Sequence, residues 1–206
     1  MTALPLSLDA LDAGWPAFVQ ATQEFIARLG LTQLQLECDH VALRVNSVAA
    51  ADALRLAFSR RGQVISEAKI NGRPILIIKL DEPLQLGPMS VECIELPYPG
   101  DKHYPKEGWE HIELVLPSQA RDCQTLAAEL LARVPALTPV LAGGTDIEVK
   151  LSSPKGAGER LANPTIAFKA GPLCIKLHPH SIQAIVASEA QAQTQTQTQT
   201  ELYRPG

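Results

Sequence analysis

The chain has 206 residues, 46% of them hydrophobic, which is enough for one large domain or two small modules that share a core. A net charge of -4 leaves no basic stripe to neutralise a phosphate backbone, so we expect no nucleic-acid partner. No apolar run approaches the roughly 20 residues that span a bilayer, and no leader-like segment is evident. We therefore expect a cytoplasmic protein with no membrane partner.

Residues 1–36 form the first predicted unit, an N-terminal helical segment. Phe25, Ile26 and Leu29 are spaced to share one helix face. Gly30 follows this face and is placed to end the helix. We interpret the segment as one or two helices that pack on the rest of the chain.

Residues 37–100 are predicted to form a first module of one strand, one helix and three strands. Ser47 is placed as the helix cap and Gly62 as its end. An Asn71-Gly72 turn and a Pro/Gly-containing loop separate the last three strands. The predicted strands are 39–45, 63–70, 74–80 and 90–96.

Residues 101–188 repeat this order, and residues 189–206 follow as a Gln/Thr-rich tail. Ser118 is placed to cap a helix that runs to Arg133. The predicted strands are 110–116, 147–152, 165–169 and 173–178. The tail offers nothing to bury, so we expect it to be disordered.

Internal repetition supports this division. Cys93-Ile94-Glu95-Leu96 returns as Cys174-Ile175-Lys176-Leu177, and Asp39-His40-Val41-Ala42-Leu43 returns as Glu110-His111-Ile112-Glu113-Leu114. The sequence therefore predicts an α+β fold. Two repeated βαβββ modules form one curved mixed sheet around a cleft, with the helical segment as an N-terminal extension.

Alternation along the strands places a set of polar side chains on the face that lines this cleft. These are His40, Arg44, Glu95, His111, Glu113, Lys176 and His178. Two imidazoles and a carboxylate on one cleft match the pattern that binds a divalent metal and leaves positions open for substrate. We predict that His40, Glu95 and His111 bind such a metal, and these ligands suit Zn, Fe, Ni or Mn.

The four cysteines, Cys38, Cys93, Cys123 and Cys174, show no CxxC spacing and stand in apolar stretches. In a reducing compartment this pattern is typical of buried free thiols. We expect no disulfide.

The motifs that carry these residues resemble known families. His40, Glu95 within Ile-Glu-Leu-Pro-Tyr and His111 within Glu-His-Ile-Glu-Leu resemble the vicinal oxygen chelate superfamily, which includes glyoxalase I and extradiol dioxygenases. More closely, segments 71–74, 107–113 and 153–156 resemble the bacterial YecM proteins. The resemblance implies paired βαβββ modules and a metal site, and it brings no established reaction.

Lys176 departs from the superfamily pattern, in which the last strand supplies a fourth ligand that is usually glutamate. An ammonium group cannot coordinate and repels a dication, so His178 on the same face is predicted as the replacement ligand, with a surface imidazole at the end of the strand as its alternative. Lys176 can pair with Glu95 or Glu113, hold an anionic substrate, or act as a general base with a lowered pKa. Glu113 can be a ligand, a catalytic acid or base, or the partner of Lys176.

Three basic residues are candidates for binding an anionic substrate. Arg44 has a planar guanidinium group that suits bidentate binding of a carboxylate or phosphate. The alternative to such substrate binding is a salt bridge with an acidic neighbour. Lys155 and Arg160 stand in loop 152–163, which is either a mobile anion-binding lid or a plain connection.

These candidate residues lead to two main functional hypotheses and a third, purely structural one. The first is a metal-dependent enzyme with isomerase, lyase or dioxygenase-like chemistry on a small anionic, oxygen-chelating molecule. The alternative is a non-catalytic protein that binds a metal or small ligand. In the third, the polar residues form only a satisfied ion network. The cleft closes within one chain or across a homodimer.

Overall fold

The structure is a computed structural model that describes residues 6–70, 72–153 and 161–188. The predicted substrate-binding residues Lys155 and Arg160 and the Gln/Thr tail lie outside the described residues. The described residues form an α+β fold around one eight-stranded, curved, open sheet, which confirms the predicted fold class at this level.

The N-terminal segment is one α-helix followed by a single short 3₁₀ helix. Helix α1 (Leu8–Arg28) is capped by Ser7, whose hydroxyl accepts the Ala10 N–H at 3.2 Å. Gly30 follows the end of the helix with a φ of 69°, a left-handed conformation that glycine adopts without strain. The predicted helix stop at Gly30 is therefore confirmed.

The first half of the sheet has the predicted order of one strand, one helix and three strands. The elements are β1 (Glu37–Arg44), α2 (Val48–Phe58), β2 (Gly62–Ile70), β3 (Arg73–Leu86) and β4 (Met89–Pro97). Ser47 caps α2 as predicted, accepting the Ala50 N–H at 3.1 Å. Gly62 does not end this helix but starts β2, where an ideal Cβ would stand 2.1 Å from the Lys79 carbonyl oxygen.

The second half has the same order with an additional short helix. The elements are β5 (Gly108–Val115), α3 (Cys123–Arg133), α4 (Thr138–Leu141), β6 (Glu148–Ser152), β7 (Thr165–Ala170) and β8 (Leu173–His178). A final helix, α5, is described over residues 182–188. None of the described helices combines the length and apolarity that crossing a bilayer requires.

Strand pairing is the same in both halves. The sheet order is β2-β3-β4-β1-β5-β8-β7-β6, with β1 parallel to β4 and β5 parallel to β8. The two halves meet where β1 and β5 pair antiparallel at the centre of the sheet. Residues of both halves therefore lie side by side on these two central strands.

Besides the helix end predicted at Gly62, two other predicted boundaries were wrong. Strand β3 continues to Leu86 through the predicted loop, with an irregular register between Lys79 and Leu84 that accommodates Pro83. Helix α3 begins after Asp122 rather than Ser118, because the Asp122 carboxylate accepts the Thr125 N–H at 2.8 Å. Ser118 instead accepts the Ala120 N–H two residues away, which closes a turn.

The main core lies on the sheet face that carries α1, α2 and α3. Val41 and Leu43 of β1 and Ile112 and Leu114 of β5 are buried there. Trp109 joins α1 to this face, since its indole N–H donates to the Leu11 carbonyl at 2.8 Å. The other face of β1 and β5 is thereby left for polar side chains.

The four cysteines are unpaired, as predicted. Cys38, Cys93 and Cys123 are buried and Cys174 is half-buried. Burial raises the pKa of Cys174 to about 11, against the opposing charge of Lys176. Its thiol is therefore protonated at neutral pH.

The substitution Leu177→Ala is expected to lower the free energy of unfolding by about 2–5 kcal/mol, because the fully buried side chain leaves a cavity. Leu151→Ala is the matched control, since Leu151 is 45% exposed and its loss is expected to cost less than about 0.5 kcal/mol. Urea unfolding followed by circular dichroism measures both values. Equal destabilisation by the two substitutions would contradict the packing described.

Cys174 is expected to react with iodoacetamide at pH 8 roughly a hundredfold more slowly in the folded protein than in urea. The raised pKa reduces the reactive thiolate, which an ordinary thiol of pKa about 8.5 forms readily at this pH. Peptide mass spectrometry over a time course measures the rate. The rate should rise about tenfold for each pH unit between 8 and 10, and a flat profile would show that access alone limits it.

Candidate metal centre

Strand β1 carries a register shift that brings Asp39 and His40 together. Leu114 and Glu113 are consecutive on β5, but they pair with Cys38 and His40, so Asp39 is an extra residue. Such a β-bulge breaks the alternation of side chains. The Asp39 carboxylate consequently lies 2.9 Å from His40 Nδ1.

Strand β5 carries an equivalent β-bulge. Ala42 and Leu43 are consecutive on β1, but they pair with His111 and Trp109, so Glu110 is the extra residue. The Glu110 carboxylate lies 3.0 Å from His111 Nδ1. The two histidines predicted as ligands are thus each held by the carboxylate that precedes them.

His178, the third predicted histidine, ends β8 and is held by the backbone. Its Nδ1 lies 2.6 Å from the His180 carbonyl oxygen, so it donates its N–H there. His40, His111 and His178 are all buried. In all three rings Nδ1 faces an oxygen acceptor, and Nε2 faces the carboxylate of Glu113.

The three Nε2 atoms surround the carboxylate of Glu113. Oε1 of Glu113 lies 3.1 Å from His111 Nε2 and 3.6 Å from His40 Nε2, and Oε2 lies 3.2 Å from His178 Nε2. His40 Nε2 and His178 Nε2 are buried and make no hydrogen bond of acceptable geometry. Two nitrogen atoms at the centre of the site are therefore without a hydrogen-bond partner.

Lys176 binds Glu113 from the neighbouring strand. The two residues are register partners on β8 and β5, and the ammonium donates to Oε1 of Glu113 at 2.7 Å. Of the alternatives left open by the sequence, the salt bridge with Glu113 is the one observed. Burial lowers the pKa of Lys176, but the charges of Glu113 and Glu95 outweigh it and hold the pKa above its usual value.

Glu95, the predicted carboxylate ligand, stands at the edge of this cluster. Its Oε2 lies 3.8 Å from His40 Nε2, and its side chain is 20% exposed. Of the three imidazoles, Glu95 approaches that of His40, while Glu113 contacts all three. The carboxylate at the centre is therefore Glu113.

Mutual electrostatics shape the titration of the cluster. Burial raises the pKa of Glu113, but the charges of Lys176 and His40 and the hydrogen bond from His111 hold it well below its usual range. Burial lowers the pKa of His40, but the charge of Glu113 and the hydrogen bond to Asp39 raise it to about 10. In His111, hydrogen bonds to Glu110 and Glu113 raise the pKa against burial and the charge of Lys176. The negative charges of the carboxylates thus favour the protonated, positively charged forms of His40, His111 and Lys176.

Arg44, predicted to bind substrate, is engaged within the protein. Its guanidinium forms a salt bridge with Glu110 and stacks 3.9 Å from the centre of the Tyr104 ring. Burial raises the pKa of Glu110, but the hydrogen bond to His111 and the charges of His111 and Arg44 leave it lowered. The alternative of pairing with an acidic neighbour is the one observed for Arg44.

Two residues of the cluster, Asp39 and Glu110, were missed by the sequence reasoning. Regular alternation would have turned both side chains away from the cleft. The available signal was their position, since a carboxylate directly precedes both repeat-related histidines.

A cavity of about 690 Å³ between α1, the start of β1 and α5 also reaches Asp39, but none of the three histidines lines it.

A family model and a relative from the comparisons with known proteins name the same family. The family model described as "YecM protein" matches residues 7–189. The chain is 48% identical to "Protein YecM" of Escherichia coli (strain K12) over 182 residues, which cover 88% of this chain and 94% of that protein. It is 37% identical to an uncharacterised protein of Haemophilus influenzae over 188 residues, covering 89% of this chain and 95% of that one. A solved structure described as "Structural Genomics, Protein EC4020" matches 92% of this chain and 100% of its own with a TM-score of 0.74 and 40% identity.

Proposed function

This chain belongs to the YecM family, and we propose that it binds one divalent metal ion through His40, His111, His178 and Glu113. The observation that carries the proposal is the convergence of three buried Nε2 atoms on one carboxylate, two of them without a hydrogen-bond partner. Buried polar atoms without partners are costly, and coordination would satisfy both nitrogens.

The spacing of the donor atoms supports the proposal. His40, His111 and Glu113 offer donor atoms that all lie within 4.8 Å of one another, and so do Asp39, His40 and His178. His40 belongs to both groups, so it stands between them. Imidazole and carboxylate donors suit Zn, Fe, Ni and Mn, the ions expected from the sequence.

Charge favours a divalent ion. Four carboxylates, those of Asp39, Glu95, Glu110 and Glu113, adjoin the histidines, while two basic side chains, Arg44 and Lys176, pair with them. Two negative charges remain, which a dication would balance. Without an ion, imidazolium protons supply that charge, and metal binding would release them.

Strand register explains how Glu113 takes the central place. In the first half Glu95 pairs with Ala42, and in the second half Lys176 pairs with Glu113. Lys176 occupies the position equivalent to Glu95, and Glu113 the position equivalent to Ala42. Each half therefore has one carboxylate at this register pair. In the first half it is Glu95 on β4, and in the second half it is Glu113 on the central strand β5. His178 adds a donor rather than substituting for this carboxylate.

Within this proposal the chain is a member of the vicinal oxygen chelate superfamily, with two repeated βαβββ modules. The matching element order and strand pairing of the two halves support that placement. Glu95, Glu110 and Lys176 are the partly exposed members of the cluster, and Lys176 is the one cation among them, available to an anionic, oxygen-bearing molecule. The ion would polarise an oxygen of such a molecule.

A second candidate function is binding without turnover. Glu113 has a lowered pKa and Lys176 a raised one, so neither candidate catalytic residue is tuned near neutral pH for proton transfer. This observation favours a protein that holds a metal or a small ligand.

Two further expectations remain predictions. One is a cytoplasmic location, which four unpaired thiols support. The other is a homodimer.

Purified protein is expected to carry about one first-row divalent ion per chain, measured by elemental analysis after dialysis. The variants His40→Ala, His111→Ala and His178→Ala are each expected to lose most of it, because each removes one nitrogen donor. His103→Ala is the matched control, since His103 is exposed and outside the cluster.

The proposal would be overturned by an ion-free protein that also fails to take up Zn, Ni, Mn or Fe in titration calorimetry. Unchanged metal content in all three cluster variants would overturn it as well. Metal-loaded protein that binds oxygen-chelating anions without converting them would select the second candidate function.

The substitution Lys176→Gln is expected to tighten zinc binding about tenfold or more, because the ammonium competes for the Glu113 carboxylate and repels a dication. Lys169→Gln is the control, since Lys169 is an exposed lysine on the adjoining strand β7. Competition with a chromophoric chelator measures both affinities. Weaker zinc binding in Lys176→Gln would show that this ammonium supports the site rather than opposing it.

A further inference from the structure

We infer that Asp39 and Glu110 are positioning residues that fix the rings of His40 and His111 with Nδ1 as the donor and Nε2 toward the metal. The inference deepens the proposed metal site and rests on it. It assigns a role to two carboxylates that would not themselves coordinate the ion.

The two β-bulges are the first observation. Asp39 is the extra residue of β1 opposite β5, and Glu110 is the extra residue of β5 opposite β1. Without the bulges each carboxylate would point to the opposite face from the histidine that follows it. The same irregularity at equivalent places in both halves brings each carboxylate to the Nδ1 of its own histidine.

Each carboxylate is in turn held by another group. The Ile182 N–H, at the start of α5, lies 2.9 Å from both oxygens of Asp39. Arg44 holds one oxygen of Glu110 and Tyr104 stacks on Arg44, so the other oxygen is left for His111. The acceptors are therefore fixed independently of the histidines.

These contacts determine which ring nitrogen is available. A carboxylate accepts the Nδ1–H and leaves the lone pair of Nε2 for coordination. Removing such a partner typically weakens metal affinity about 10–100-fold. His178 differs in its Nδ1 partner, which is the His180 backbone carbonyl rather than a carboxylate, while its Nε2 lies 3.5 Å from Oδ2 of Asp39.

The variants Asp39→Asn and Glu110→Gln test the inference. An amide can donate to Nδ1 and so favours the proton on Nε2, where the ion would bind. In Asp39→Asn the side-chain carbonyl oxygen of the new amide would still accept the Ile182 N–H, which preserves that contact to α5. Each variant is expected to bind zinc about 10–100-fold more weakly in chelator competition. Glu37→Gln is the control, because Glu37 is an exposed carboxylate on β1.

A second measurement separates positioning from general loss of structure. In ¹H–¹⁵N spectra of metal-free protein, the Nδ1 proton of His40 is expected far downfield and is expected to move upfield in Asp39→Asn alone. The Nδ1 proton of His111 should behave likewise in Glu110→Gln alone. Urea unfolding midpoints check that both variants fold, and the partly exposed Glu110 keeps the test available if Asp39→Asn does not fold.

The outcomes distinguish this inference from the proposed function. Weaker zinc binding together with the selective Nδ1 shift supports the inference. Wild-type affinity in both variants overturns the inference and leaves the metal site intact. If the wild-type protein binds no metal, the proposed function fails, and unshifted Nδ1 protons in both variants would then overturn the positioning role too.

Discussion

The buried carboxylate of Glu113 is the constraint on which the rest of the site depends. A charge taken out of water is costly unless it is paired, and Glu113 lies among three imidazoles and one ammonium group. The groups around it must therefore supply positive charge. Protons on the imidazoles, the ammonium of Lys176 or a bound dication can each do so, and the proposed metal function follows from that competition.

The position of Glu113 follows from the way the sheet is assembled. Strands β1 and β5 pair at the centre of the sheet, so each half contributes one histidine to the same small volume. The two halves share element order and pairing but differ at one register pair, which is Ala42 with Glu95 in one half and Glu113 with Lys176 in the other. This difference makes the site asymmetric, with Glu113 at its centre and Glu95 at its edge.

Much of the site was predictable from alternation and repetition. His40, His111, His178, Glu113 and Lys176 were all placed on the cleft face, and the structure brings them within contact distance. Asp39 and Glu110 were missed because each is the extra residue of a bulge, where alternation fails. Arg44 was read as a candidate substrate anchor because its neighbours Glu110 and Tyr104 become visible only after the strands pair.

The sequence by itself determined the order of the eight strands and the three longer helices, the YecM family and the residue types that suit a metal. These features depend on short-range patterns of hydrophobicity, on turn residues and on motifs, all of which can be read along the chain. Only the tertiary structure decided which carboxylate stands at the centre, which partner Lys176 takes and how the histidine rings are held. Those outcomes depend on register between strands distant in sequence, and a shift of one residue there exchanges the side chains that face the cleft.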